Sequence, residues 1–445
     1  MKTITAGELA ALVHGELVSG ASETPVSILC VDSNQAVEGS VFLALRGGHK
    51  YIDDALDHGA CGCVFSQPPQ TLRNGKYYIR VANTDVAYKD IAAWHRSHFD
   101  IPVIQVTGSV GKTTTKDMIG SVLSARFETL RTEKNYNNEI GTPKTLMRLE
   151  KKHEAAVIET GMDGEGQIRY LGEMVKPSVA VITNIGDMHI ERLGSRENIL
   201  KAKCEIFENL APDGFAVLNG DDELLNTVMV PQRVIRVGKG ENCDVRFSDI
   251  VDKGKDGIIC TVVTSRARYE MEIPTPGVYM AYPAAMAAAI GEQLGMTAEE
   301  IVRGAADYEP TDSRMLVHEL ENDRRLLDDC YNAGPQSMRA ALDVLVGLGE
   351  RTVAMLGDMA ELGDLTEKAH REVGEHAKKL GVDCVITVGA KAKGIAAAYG
   401  HGAMSFDSVE DALDTVKKEF APGTALLVKA SHSMNFERII KELIK

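Results

Sequence analysis

The sequence predicts an α/β protein in three domains: a small α/β N-terminal unit, a central doubly wound unit of phosphate-loop type, and a C-terminal Rossmann-like unit. Three observations carry this reading. The chain has 445 residues, enough for two to four domains that each bury a core. Short Val- and Ile-rich runs alternate with helical patterns over most of its length, the order that builds parallel sheets. One such run, Val103–Thr107, breaks at the turn Gly108-Ser109-Val110-Gly111 and restarts as a helical pattern at Lys112-Thr113-Thr114.

Residues 1–97 hold a short amphipathic helix around Leu9–Val13, strands at Val41–Leu45 and Cys63–Ser66, and a helix at 52–59 between those strands. Asp32-Ser33 and Gly39–Phe42 put small polar groups at the mouth of that sheet, where solvated turns are the ordinary finding. In residues 98–311, strands at Ala155–Glu159, Ser178–Asn184 and Phe215–Asn219 alternate with helices. Cys243–Ser248, Gly257–Thr264 and Arg268–Ile273 alternate in hydropathy and predict antiparallel strands flanking the main sheet. Ala284–Leu294, rich in Ala and Met, predicts a packing helix. Residues 312–445 read as four βα units, without the G-x-G-x-x-G fingerprint, so the pattern carries no dinucleotide site.

A net charge of −15 argues against nonspecific nucleic-acid binding and makes a phosphate-rich ligand depend on local cations. The eight cysteines have no zinc spacing and read as reduced thiols of a cytoplasmic protein. The first residues lack a signal-peptide pattern, and no apolar run approaches the roughly 18 residues of a membrane span.

The stretch from Val103 to Thr115 is the strongest chemical signal. Glycines let backbone N–H groups approach an anion, the helix N-terminus adds partial positive charge, Lys112 supplies a cation, and the Thr113 hydroxyl suits Mg²⁺. The general phosphate-loop pattern has glycine five residues before Gly111, where this chain has Val106. Glu159 ends a buried strand, and His189 lies in the loop after the next one. Ligands in such sheets sit beyond the carboxyl ends of strands, so both side chains are placed toward the glycine loop. A Glu and a His there suit Mg²⁺ or Mn²⁺ carrying phosphates. Lys201 and Lys203, read alone, lie on an exposed helix face.

The motifs Gly108-Ser-Val-Gly-Lys-Thr113, Asn135-Tyr-Asn-Asn-Glu-Ile-Gly141-Thr-Pro143, Glu159-Thr-Gly161 and Lys201-Ala-Lys-Cys-Glu-Ile-Phe207 resemble those of the Mur ligases, the ATP-dependent amide-forming enzymes of peptidoglycan precursor synthesis. Asp329-Cys-Tyr-Asn-Ala-Gly-Pro335-Gln-Ser-Met338, Leu356-Gly-Asp-Met-Ala-Glu-Leu-Gly363 with His370, and Asp32-Ser33 with Gly39 and Phe42 resemble the D-alanyl-D-alanine-adding branch. The resemblance spans essentially the whole chain, in family order.

It implies a UDP-sugar-peptide substrate domain at 1–97, an ATP-binding domain at 98–311 and a ligase domain at 312–445. The substrates implied are ATP, a UDP-linked muramoyl tripeptide and D-Ala-D-Ala, used by a monomer through an acyl phosphate. Gly108, Ser109, Val110, Gly111, Lys112, Thr113 and Thr114 would hold the phosphates. Thr113 and Glu159 would hold one Mg²⁺, and His189 a second. Lys203 would be carbamylated, as an additional metal ligand. Asn138 would lie near the transferred phosphoryl group, with Arg314 on the ATP phosphates and Asp329 on its ribose. Ser33 and Asn332 would meet the substrates.

Several positions depart from the family pattern. Tyr279 and Pro283 stand where a His and an Asn contact adenine, Asn34 replaces Arg, and the loop Arg46–Ile52 is shorter. Gly334 replaces Asn, and His432 replaces Arg, where the amine enters. Two other readings stay open: a Mur-like ligase for another acid and amine pair (a pseudomurein precursor, a tetrapyrrole or a folylpolyglutamate), and a paralogue that binds without turnover.

Overall fold

The apolar runs become strands of three mixed sheets in a computed structural model that describes residues 1–311 and 313–444. Residues 312 and 445, the expected limits of the third segment, lie outside the described residues. The first sheet orders Glu16–Ser19, Tyr77–Arg80, Gly62–Phe65, Ser40–Leu43 and Ile28–Cys30. Its first pairing is antiparallel and the others are parallel. The helix Ala6–Leu12 opens with a capping box in which Thr5 and Glu8 satisfy each other's backbone N–H groups. Helix Thr84–Arg96 carries the chain toward the central domain.

The central sheet has nine strands, in the order Arg268–Ile273, Ile258–Val263, Val245–Asp252, Arg233–Gly238, Phe215–Asn219, Val179–Ile182, Val103–Thr107, Ala155–Glu159 and Thr129–Arg131. The two outermost pairings at the Arg268 end are antiparallel and the rest are parallel, as the alternating hydropathy of 243–273 predicts. Every residue of Val103–Thr107 is buried, because helices cover both faces of the parallel part. On one face the helix Lys112–Ser124 packs with Ala281–Gln293, joining Met118, Ile119, Val122 and Leu123 to Ala284, Ala288 and Ile290 in one core. Helix Ala281–Gln293 begins three residues before the apolar run suggests, because Pro283 is tolerated in a first turn.

The third sheet orders Leu316–Leu320, Arg324–Asp328, Thr424–Lys429, Arg351–Gly357, Cys384–Val388 and Ala403–Phe406. Only the first pairing is antiparallel. Ala403–Phe406 is a fifth strand leading into a helix (Val409–Glu419), where the sequence suggested four such units.

The chain leaves the central domain along the helix that follows the glycine loop. Ser121 Oγ donates to Gly304 O at 2.7 Å, and Thr311 donates its hydroxyl to Asp117. Asp117 is paired with Lys116 at 2.5 Å, and Lys116 Nζ donates to Thr132 O at 2.8 Å. Gly304 is required here: a Cβ would fall 2.5 Å from Val122 Cα. All eight cysteines are free thiols. Among the described residues no helix is long and apolar enough to cross a membrane.

Candidate active site

Strand Val103–Thr107 lies between Ala155–Glu159 and Val179–Ile182, so the loops after all three open at one crevice. The glycine turn is held there by the loop after Ile182. Ser109 N donates to Asn184 O at 3.0 Å and Val110 N to Asn184 Oδ1 at 3.0 Å. Asn184 Nδ2 and Thr183 Oγ1 donate in return to Val110 O, at 2.9 and 2.6 Å. Gly108 fits where no side chain would, since a Cβ would fall 1.9 Å from Thr183 Oγ1. It takes the close approach that Val106, buried in the strand, cannot.

Gly111 caps the helix Lys112–Ser124 in the left-handed conformation (φ +80°) and has no side chain to occupy the first-turn N–H groups. Those donors are available to an anion. Lys112 Nζ is folded back onto the carbonyls of Gly108 (2.8 Å) and Ser109 (3.3 Å). Burial holds its amine below the ordinary lysine value, with Glu159 opposing that shift.

Glu159 is 1% exposed. It accepts from Thr113 Oγ1 at 2.8 Å and from Asn137 Nδ2 at 2.7 Å, while its own N–H donates to Thr132 Oγ1 at 3.0 Å. Asn138 Oδ1 accepts from the N–H groups of Ile140 (3.1 Å) and Gly141 (2.9 Å), so this exposed side chain also starts the helix Gly141–Leu146.

His189, in the left-handed region at φ +65°, begins a short helix over Ile190–Leu193. Its Nδ1 lies 2.5 Å from Glu361 Oε2, in the third domain, without the alignment of a hydrogen bond. Burial holds the imidazole below its ordinary value, and Glu361 opposes that shift.

Lys203 corrects the exposed-face reading. Lys201 points to solvent, whereas Lys203 is 2% exposed and donates to no acceptor among the described residues. Burial, and after it the charge of Lys112, hold its amine well below 10.5. The helix Arg196–Cys204 buries Ile199, Ala202 and Lys203 as one face.

A cleft of about 1070 Å³ joins the central and third domains. Ser109–Thr114, Asn138, Glu159, His189, Arg314, Asp329 and Asn332 line it together. Gly108 and Lys203 are not among the residues that line it, and Ser33 lies apart in the first domain, in the turn Ser33–Gln35 capped by Asp32. Asn34 is used within that turn, donating from N (3.0 Å) and Nδ2 (3.2 Å) to Asp32. Arg314 stacks on the Tyr331 ring at 4.0 Å, and Tyr331 packs on His432 at 5.3 Å. Asp329, 7% exposed, is ion-paired with Lys429 and accepts from Met315 N at 3.2 Å. Burial lifts its carboxyl above 3.8, with Lys429 opposing. Lys429 also donates to Asn332 O at 2.9 Å.

Tyr279, Pro283 and Met286 form an apolar wall of the cleft, and Tyr282 beside them donates to Asp221 Oδ2 at 2.8 Å. Sequence reasoning missed Asn137, Lys429 and Glu361. Asn137 had a signal, its place in the Asn-rich motif. Glu361 had one too, its place in the motif Leu356–Gly363, but its partner, like that of Lys429, lies in a distant stretch of chain.

Among the described residues no group of three His, Cys, Asp or Glu side chains is placed to hold a metal alone. The donors present suit a cation that takes most of its oxygens elsewhere: one carboxylate (Glu159), one hydroxyl (Thr113) and one imidazole (His189). Mg²⁺ bound with substrate phosphates behaves in this way.

A phosphate loop with its carboxylate and hydroxyl, opening into a cleft between two α/β domains, defines a nucleotide-dependent enzyme of the phosphate-loop class. Residues 106–291 match the Mur ligase middle domain and residues 313–432 the Mur ligase glutamate ligase domain. The chain belongs to the Mur ligase family. It is 37% identical over 430 residues to the UDP-N-acetylmuramoyl-tripeptide–D-alanyl-D-alanine ligase of Synechocystis, covering 94% of this chain and 92% of that one. It superposes on MurF from Acinetobacter baumannii with a TM-score of 0.92 at 29% identity, covering 100% and 99% of the two chains. A MurF ligase from Thermotoga maritima, solved in complex with ADP, aligns with a TM-score of 0.84 at 26% identity, covering 94% and 96%.

Proposed function

We propose that this chain joins D-alanyl-D-alanine to UDP-N-acetylmuramoyl-tripeptide at the expense of ATP, in the cytoplasmic assembly of peptidoglycan precursors. The observation that carries this is the relationship over the full chain, together with an intact phosphate loop and Thr113–Glu159 pair in the cleft between two domains.

In this reading residues 1–97 hold the UDP-linked tripeptide, with Ser33 at its nucleotide end. Residues 98–311 bind ATP, and 312–445 close over it and admit the dipeptide near Asn332. The γ-phosphoryl group passes to the tripeptide carboxylate as its bond to the β-phosphate oxygen breaks, giving an acyl phosphate and ADP. The dipeptide amine then attacks that carbonyl, and phosphate leaves as the amide forms. This chemistry depends on positioning and on charge neutralisation.

The first-turn N–H groups after Gly111, with Lys112, orient the β- and γ-phosphates; Asn138 and Arg314 flank the phosphoryl group in flight. Thr113, Glu159, His189 and carbamylated Lys203 are the residues that would hold two Mg²⁺. Bound there, the metal supplies charge neutralisation at the phosphates. Burial, and after it the charge of Lys112, disfavour the charged form of the Lys203 amine, which supports the carbamate reading, since only the neutral amine attacks CO₂. Adenine lies against Tyr279, Pro283 and Met286 by stacking and apolar contact, which replaces the His and Asn of the family pattern. The ribose falls toward Asp329.

The test is phosphate release from ATP across acid and amine pairs. UDP-N-acetylmuramoyl-tripeptide with D-Ala-D-Ala is expected to give the highest kcat/KM. A higher value with another acid or another amine would move the chain to a different substrate within the family. No release with any pair would favour a binding paralogue.

A further inference from the structure

The loop that carries His189 is built partly by the third domain. It leaves the central strand Val179–Ile182, whereas Glu361 and Gly363 follow the third-sheet strand Arg351–Gly357. The two loops meet along several atoms. Glu191 N approaches Glu361 O at 3.5 Å, and a Cβ on Gly363 would stand 3.3 Å from Glu191 Cα. His189 Nδ1 and Glu361 Oε2 are 2.5 Å apart.

Both residues of this pair have left-handed backbones, φ +65° for His189 and +60° for Glu361. Residues other than glycine seldom adopt that region, and when they do the surrounding structure holds them in it. Here the two unusual conformations bring an imidazole and a carboxylate face to face across a domain boundary. His189 is 20% exposed at its side chain and lines the cleft; Glu361 is 39% exposed and stands outside it.

An imidazole that takes a cation on one nitrogen is oriented by whatever its other nitrogen meets. A carboxylate 2.5 Å from Nδ1, although off hydrogen-bond alignment, favours the proton on Nδ1, which leaves the lone pair on Nε2. We propose that Glu361 is the positioning residue of His189. The third domain's carboxylate fixes the ring and its tautomer, so the metal-binding form of His189 is complete only where residues 361–363 are docked on 189–191. This rests on the reading of His189 as a metal ligand given above.

The experiment counts and titrates Mn²⁺ bound to the full-length protein with a non-hydrolysable ATP analogue, by electron paramagnetic resonance, without turnover. Wild type is compared with His189→Ala, Glu361→Ala and Glu361→Gln, each first shown by thermal melting to be folded. His189→Ala should lose one Mn²⁺. Glu361→Ala should keep the wild-type number but bind that ion about 10- to 100-fold more weakly, the usual effect of removing an outer-shell partner. Glu361→Gln keeps an oxygen that can accept from Nδ1–H and should lose less.

Wild-type Mn²⁺ affinity in Glu361→Ala would overturn the inference while leaving the His189 assignment intact. Outright loss of the ion in Glu361→Ala would make Glu361 a ligand and also overturn it. An unchanged count in His189→Ala would remove the metal role of His189, and the inference with it.

Discussion

Thr113 donates its hydroxyl to Glu159 across 2.8 Å, tying the first turn of the phosphate helix to the end of the neighbouring strand. The carboxylate is thereby fixed before any cation arrives, and Asn137 occupies its other oxygen at 2.7 Å. Glu159→Ala leaves the buried Thr113 hydroxyl and the half-buried Asn137 amide unpaired and should cost about 1–3 kcal/mol of stability. Glu159→Gln keeps an acceptor oxygen but no charge, so it should be nearly as stable as wild type and yet lose Mg²⁺-dependent ATP binding. Urea unfolding beside calorimetric titration of ATP, with and without Mg²⁺, separates the two effects. Equal Mg²⁺ dependence in Glu159→Gln and wild type would remove the carboxylate from the metal site.

Lys112→Ala should reduce turnover at least about 10²-fold, because it removes a cation from the phosphoryl group during transfer. Its Nζ bonds to Gly108 O and Ser109 O show that the lysine also braces the loop, so a modest drop in melting temperature should accompany the loss. Steady-state kinetics with a melting curve checks both. Near-wild-type turnover would end the assignment of this loop.

Lys203→Met should melt higher than wild type in metal-free buffer at neutral pH, and be inactive. The buried amine is held well below 10.5, so the unfolded chain binds more protons than the folded one between the folded value and 10.5. Stability contributed by this residue therefore rises with pH across that window, and the Met variant should lack that slope. Wild-type activity should also increase with added bicarbonate. Retained turnover in Lys203→Met would make the residue structural only.

Lys429→Met strands the buried Asp329 carboxylate and should cost about 3–5 kcal/mol at pH 8. Asp329 is already lifted above 3.8 by burial, so its folded form binds protons that the unfolded chain has released. Stability is thus lost as pH rises through that window, and the variant should recover part of its deficit near pH 5. Asp329→Asn in the same background should recover more. Denaturant melts at the two pH values test this; a deficit that does not change with pH would mean that Asp329 is not the stranded charge.

The site was legible where chemistry is local in the chain. The glycine turn, Lys112, Thr113, Glu159 and His189 all sit at strand ends next to one another, and topology alone carries them to one crevice. Lys203 was misread from charge, because the helix Arg196–Cys204 is short and two lysines two residues apart look equally solvated until packing separates them. Lys429 and Asp329 meet across 100 residues, and Glu361 reaches His189 from another domain; no periodicity records such contacts. The strand Ala403–Phe406 escaped because it is a short, half-buried edge strand with little apolar signal.

The helix Lys112–Ser124 meets phosphate at its tip and, farther along, grips the departing chain through Asp117–Thr311 and Ser121–Gly304. It therefore works as an axle whose bearing lies at the opposite end from its load. The chain enters the third domain from a mount fixed to the helix that starts at the phosphate loop, and not from a loose tether. Wear at that mount would be felt in the cleft: a side chain at Gly304, which does not line the cleft, would press on Val122 and should misalign Arg314 and Asn332 together. Catalytic defects that touch no substrate are to be sought along this rod.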